Sequence, residues 1–175
     1  IPQDQLIGMM SIVDQDNFLF DMSIRDNSML GKPDADDKAL AASVDAAGCR
    51  EIVERLEGGL HTVVGTGGAL LSTGERQRIC IARAILKDAP IVLLDEATAF
   101  ADPENEVLIQ KALSVLCQDK TVIMIAHRLS TIRDADTIIV MKDGDIVELG
   151  NHDSLLEKDG FYASLYRSQF EGLDN

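Results

Sequence analysis

The chain of 175 residues lacks three things, and each absence narrows what it can be. No apolar run approaches the roughly 18 residues that a membrane-spanning helix needs, and the first residues do not form a secretory leader. As given, the chain reads as soluble. Cysteine is scarce: Cys49, Cys80 and Cys117 are odd in number, far apart and set among apolar neighbours, with no C-x-x-C pair. They predict reduced core residues rather than a disulfide framework or a metal knuckle. Basic charge is also short, with 16 Lys and Arg against 30 Asp and Glu and a formal net charge of −14. A general nucleic-acid or anionic-membrane binder carries a basic face, so any anion must be held by a local site. What is present is an ordinary hydrophobic content of 46%, enough to fill the core of one domain or of part of a larger one.

Short aliphatic runs punctuate the chain. Leu6 to Val13 has strand length and leads into the polar turn Asp14-Gln15-Asp16-Asn17. Pro33 to about Leu56 is helical in composition, with Gly48 a break, and residues 58 to 68 are Gly-rich and loop-like. Ile91 to Leu94 is continuously aliphatic and ends in Asp95-Glu96, the pattern of a parallel strand buried on both faces. Asp102-Pro103-Glu104 reads as an N-cap, an N1 proline and an acidic first turn, opening a helix to about Cys117. Thr121 to Ala126 repeats the buried-strand pattern and delivers His127 at its end. Strand, helix and strand at this spacing predict a βαβ unit. Lys142-Asp143-Gly144 predicts a hairpin between Thr137–Met141 and Asp145–Leu149. Two short helices, near 152–158 and 160–170, close the chain.

The segment Leu71-Ser72-Thr73-Gly74-Glu75-Arg76-Gln77-Arg78 opens a helix running to about Lys87. Ser72 and Glu75 have capping-box spacing, which satisfies two backbone donors without any ligand. Gly74 is harder to account for, because it costs about 1 kcal/mol against Ala inside a helix yet lets another backbone or an anion approach the first turn. A helix N-terminus holds phosphate through its free N–H groups and its dipole.

In open α/β sheets, ligands sit outside the carboxyl ends of strands. Three such ends carry Gln15, Asp95-Glu96 and His127. Asp95 has the type and place of a residue that holds Mg²⁺ through water, and Glu96 can orient an attacking water or take its proton. His127 can donate to a terminal phosphate, and Gln15 can bind the metal or the water. Taken singly, a polar residue at a strand end is more often an ordinary loop residue; four in one layer argue for a site.

At these residues the chain resembles the nucleotide-binding domains of exporter-type ABC transporters, and the resemblance covers essentially all of it. Gln15 with Leu19-Phe20, Ser23-Ile24 and Asn27 is similar to the glutamine loop and its sequel, LSTGERQR followed by Ile81-Ala82-Arg83-Ala84 to the signature motif, and IVLLDEAT (91–98) to the Walker B strand with its catalytic glutamate. Residues 100–104 resemble the D-loop, and Ala126-His127-Arg128-Leu129-Ser130-Thr131 the switch histidine motif. The resemblance implies a partial P-loop NTPase core: a mainly parallel sheet with an inserted α-helical subdomain, and one partial ATPase domain over 1–175. Its parts would be 1–15 as core strand and glutamine loop, 16–88 as helical subdomain with signature, and 89–175 as Walker B, D-loop, switch histidine and C-terminal helices. It implies ATP and Mg²⁺ as cofactors, with Glu96, His127 and Gln15 catalytic, Asp95 and Gln15 at the metal, and Ser72, Thr73, Gly74, Glu75 and Asp102 at nucleotide. The signature residues would meet the γ-phosphate held by a second, head-to-tail ATPase domain. The implied partners are that domain and a transmembrane domain, at the cytoplasmic face of a membrane.

The chain departs from the family pattern in several places. Nothing fits the P-loop G-x-x-x-x-G-K-S/T, because GGLHTVVGTGG (58–68) has no lysine. The chain therefore looks truncated at its N-terminus, and the isolated chain is expected not to grip ATP. Thr73 and Glu75 stand where a glycine and a glutamine are usual, and both are expected to weaken phosphate binding. Thr66 stands where the coupling loop usually has a glutamate, and Ala101 where the D-loop usually has leucine. ATAFADPENE is similar to exporter-fold transporters that include siderophore-uptake pairs. The alternative reading is a non-catalytic fragment or the degenerate half of an asymmetric dimer, acting through domain association. A soluble ABC ATPase of DNA repair or translation is disfavoured by the segment around Phe20, by ELGNHDSLL (148–156) and by the missing basic surface. Removal of the P-loop strand and helix is expected to bare one face of the sheet and leave unpaired edges.

Overall fold

The computed structural model describes residues 2–95, 103–126 and 129–171, which fall into two compact units, Ile1–Ile125 and Ala126–Asn175. In the first unit, strands β1 (Met10–Val13), β2 (Ile91–Asp95) and β3 (Thr121–Ile125) form a wholly parallel sheet in the order β1-β2-β3. Parallel neighbours need a long crossover, and helix α6 (Pro103–Cys117) makes it between β2 and β3. The predicted βαβ unit is therefore present.

The first strand is shorter than its apolar run suggests. Residues Gln3–Gly8 form a one-and-a-half-turn helix, α1, with no buried residue, and the strand starts only at Met10. Met10 pairs with Ile91, the first residue of β2. Leu6 and Ile7 thus have no partner strand to extend along, and a lone extended segment leaves its backbone groups unpaired.

The sheet is covered on one face. Ser11, Val13, Val92 and Leu94 are buried; the last three share one core with apolar residues of α6 and of the long helix α5 (Thr73–Lys87), and the Ser11 hydroxyl donates to Ala84 O of α5 at 3.3 Å. Ile12, Leu93 and Ile123 share a register row on the other face, where Ile12 and Ile123 are more than half exposed. Burial on both faces, expected of β2 and β3, does not hold: Leu93 is only partly buried and every residue of β3 is exposed. Among the described residues no helix covers that row, and β3 is an edge strand of the sheet.

Between β1 and α5 the chain is helical. Helix α2 (Ile24–Met29), not anticipated from the sequence, is capped by Ser23, whose Oγ accepts from Asp26 N at 3.0 Å. Helices α3 (Asp37–Ala46) and α4 (Arg50–Arg55) are separated at Gly48, which has φ +68°, the left-handed conformation suited to glycine. Their apolar residues, among them Leu40, Val44 and Ile52, join one core with Ile79 and Ile81 of α5 and Ile109 of α6.

The second unit is a hairpin with two helices. Strands β4 (Ile138–Lys142) and β5 (Asp145–Gly150) pair antiparallel around Asp143-Gly144. Both turn residues have positive φ, +52° and +91°, as a type I′ turn requires. Helices α7 (His152–Glu157) and α8 (Phe161–Glu171) bury Leu155 and Tyr162 against Ile138 and Val140. Glu148 closes the start of α8 by accepting from Phe161 N and Tyr162 N at 3.1 and 2.7 Å.

Candidate functional site

The parallel register sets the carboxyl ends of three strands side by side. Asp95 is the last residue of β2, exposed, and opposite Ile125 of β3. Gln15 is exposed in the turn two residues beyond β1. That turn is built locally: Asp14 Oδ1 accepts from Asn17 N at 3.1 Å, and Asn17 Nδ2 donates to Gln15 O at 3.0 Å, with Asn17 at φ +46°. Glu96, His127 and Asp102 lie outside the described residues. In sequence they follow the end of β2, follow the end of β3 and precede α6.

The start of α5 is a complete capping box. Ser72 Oγ accepts from Glu75 N at 3.2 Å, while Glu75 Oε2 accepts from Ser72 N at 2.9 Å. Ser72 and Thr73 are exposed, and Gly74 and Glu75 partly buried. The Thr73 hydroxyl accepts from Arg76 Nη2 at 3.1 Å, and Arg76 Nη1 donates to Leu71 O at 3.1 Å. Glu75 does not stand as an uncompensated charge, because Arg55 at the end of α4 donates to its Oε1 at 2.5 Å. Gly74 is explained by packing as well: a Cβ there would lie 2.8 Å from Asn105 Cγ on α6.

Helix α5 also anchors the segment after Gln15. Arg83 Nε donates to Asn27 O at 2.9 Å and its guanidinium reaches Phe18 O. The fully buried Asn27 side chain accepts from Phe20 N at 2.9 Å and donates to Phe20 O at 3.0 Å. Farther along the chain's first unit, Arg78 is 2% exposed, and its Nη1 donates to Gly48 O at 2.7 Å and Glu51 Oε1 at 2.8 Å. Its Nη2 reaches Asn105 Oδ1 at 3.3 Å. The sequence pattern does not single out Arg55, Asn105 or Arg78, since each acts on a residue at least 20 positions away and no local signal announces such a contact.

The cysteines take no part in this layer. Burial pushes the Cys49 thiol up to about 12 and that of Cys80 to about 11, and raises Cys117 as well. All three are free, as expected of core residues.

Available at this edge are an exposed carboxylate and an exposed carboxamide at adjacent strand ends. A second element is an exposed, capped helix start. Mg²⁺ takes one or two protein carboxylates and fills its remaining positions with water and phosphate oxygens, so Asp95 with Gln15 fits such an ion, and Ser72 with the first turn of α5 fits a phosphate.

Comparison with known proteins identifies the family. The chain is 49% identical over 161 residues to an ATP-dependent lipid A-core flippase of Chromohalobacter salexigens, covering 92% of this chain and 28% of the relative. It is 48% identical over 165 residues to YknV, an uncharacterized ABC transporter ATP-binding protein of Bacillus subtilis, covering 94% and 27%. Among solved structures, a bacterial Atm1-family ABC exporter with ATP bound superposes with a TM-score of 0.87 at 39% identity, over 97% of this chain and 30% of that one. The chain thus spans under a third of the length of these proteins. Residues 3–99, more than half of the chain, match the model of the ABC transporter family, and with the strand order, the capped signature helix and the Walker B strand in place, the chain belongs to that family.

Proposed function

We propose that this chain is the catalytic-strand, glutamine-loop and signature portion of an exporter-type ABC transporter ATPase, which powers transport by closing head-to-tail on ATP with a second such domain. The observation that carries the reading is the β1-β2-β3 register, which brings the loop of Gln15 and the carboxylate of Asp95 to one edge of the sheet. In this reading Asp95 and Gln15 hold Mg²⁺, which when bound supplies charge neutralisation for the phosphates. Glu96 orients the attacking water and takes its proton, and His127 donates a hydrogen bond to the terminal phosphate. Ser72, Thr73, Gly74 and Glu75 offer the capped end of α5 to the nucleotide of the second domain, beside Asp102.

No helix among the described residues is long and apolar enough to cross a membrane. The cargo path is assigned to a transmembrane domain in the same polypeptide or a partner, and the ATPase to the cytoplasmic face. The chain spans under a third of these relatives' length, and in this reading the P-loop belongs to another part of the parent protein. Domain limits follow the same reading: one partial ATPase domain over 1–175.

The test is calorimetric titration of ATP and Mg²⁺ into the 175-residue chain and into a version extended through a preceding P-loop. Binding by the extended protein alone is the expected result. Tight binding by the short chain would overturn the assignment of phosphate chemistry. A second reading, the degenerate half of an asymmetric dimer, is favoured by the Thr73 hydroxyl, which occupies the helix start together with Arg76. It predicts binding by the extended protein without hydrolysis unless a distinct second domain is added.

A further inference from the structure

We infer that Arg55 is a positioning residue for the phosphate site at the start of α5, acting through Glu75. The inference rests on the reading of that helix start as the surface that meets the nucleotide of a second domain. A glutamate in the first turn suits the helix dipole, but it opposes the approach of a phosphate, which carries the same sign of charge. The geometry resolves this conflict. The Glu75 carboxylate is 17% exposed and fully engaged at both oxygens, Oε2 with the backbone N–H of Ser72 at 2.9 Å and Oε1 with Arg55 Nη2 at 2.5 Å.

The Arg55 pairing has two consequences. First, the guanidinium cancels the charge that an arriving phosphate meets. Second, it holds the carboxylate in the orientation that closes the capping box, leaving Ser72 and Thr73 exposed at the helix end. Arg76, the other cation on this turn, does not substitute for it, since its guanidinium bonds to Leu71 O and Thr73 Oγ1. Arg55 itself comes from the last turn of α4, 20 residues upstream. The position of the helical segment therefore sets the electrostatics of the signature turn, and Arg55 influences nucleotide without touching it.

The test is steady-state ATPase kinetics of the complete transporter at low ionic strength, for the wild type, Arg55→Gln, Glu75→Gln and the double variant. Arg55→Gln is expected to raise the KM for ATP by roughly fivefold, the scale of one charge near a helix N-terminus, with little change in kcat at saturating ATP. In the Glu75→Gln background the same Arg55→Gln change is expected to leave KM where Glu75→Gln alone sets it, and Arg55→Lys to restore most of the affinity. Added salt should shrink the difference. A purely structural role for Arg55 would affect both backgrounds equally, and that outcome, or an unchanged KM in the single variant, overturns the inference. A wild-type transporter without ATPase activity would instead overturn the functional reading on which it rests.

Discussion

Gly74 on α5 and Asn105 on α6 approach so closely that a Cβ on the glycine would fall 2.8 Å from Asn105 Cγ and 3.0 Å from its Cβ. The glycine in the signature turn is thus required by the crossing of two helices of the same chain, before any nucleotide is considered. Alanine favours a helix over glycine by about 1 kcal/mol, but overpacking costs typically about 1–3 kcal/mol. Because Asn105 Oδ1 also accepts from Arg78, it cannot swing away freely. Gly74→Ala is therefore expected to lower stability by about 1 kcal/mol in urea unfolding, and Gly74→Ala with Asn105→Ala to recover it. An increase in stability for the single variant would contradict the packing argument.

Ser72 has a structural role that is separable from nucleotide. Removing its hydroxyl leaves Glu75 N without an acceptor, so Ser72→Ala is expected to cost about 1 kcal/mol in the absence of ATP. Ser72→Asp keeps the cap and should preserve stability, while adding a charge that opposes phosphate. Thermal melts beside ATPase assays of the complete transporter separate the two effects.

Arg78, the most buried charged side chain among the described residues, joins three helical elements. Arg78→Ala removes the donor for Gly48 O and the link to Asn105, and is expected to destabilise by about 2 kcal/mol, mainly through lost packing and an unpaired carbonyl. Its partner Glu51 is 65% exposed and can be solvated when left alone. Glu51→Gln is accordingly expected to stay within about 0.5 kcal/mol of the wild type in the same denaturant series.

Thiol ionisation gives a signed pH dependence. The folded-state values of Cys49 and Cys80 are raised by burial to about 12 and about 11 from an ordinary 9.0. Between pH 9 and these values the unfolded chain releases thiol protons that the folded chain retains, so stability falls as pH rises through that window. Below pH 9 this contribution is fully present. Cys49→Ala should flatten the alkaline decline measured by denaturant midpoints. At pH 7 a maleimide should label the half-buried Cys117 well before Cys49 or Cys80, and a reversed order would refute the burial account.

Much of the fold is legible in short stretches of sequence. The helix over Thr73–Lys87 follows from Ser72 and Glu75, the type I′ hairpin from Asp143-Gly144, and the α3–α4 break from Gly48. The parallel pairing of β2 with β3 follows from two aliphatic runs joined by a helix, whereas the pairing of β1 with β2 crosses the whole helical region and was not legible. The start of β1 was not legible, because the apolar run continues upstream of Met10 and only the length of β2 decides where pairing begins. Helix α2 was missed too, for its single turn and a half carries no periodic pattern long enough to detect.

The division has a physical basis. Capping boxes, positive-φ turns and strand-length aliphatic runs depend on hydrogen bonds and torsions among residues a few positions apart, so the sequence by itself determined them. Charge compensation of Glu75 by Arg55, the contact of Gly74 with Asn105, and the exposure of Ile12 and Ile123 depend on which distant elements come to lie beside one another. Tertiary structure alone decided these, because the energy of a charge or an apolar surface is set by its neighbours in space.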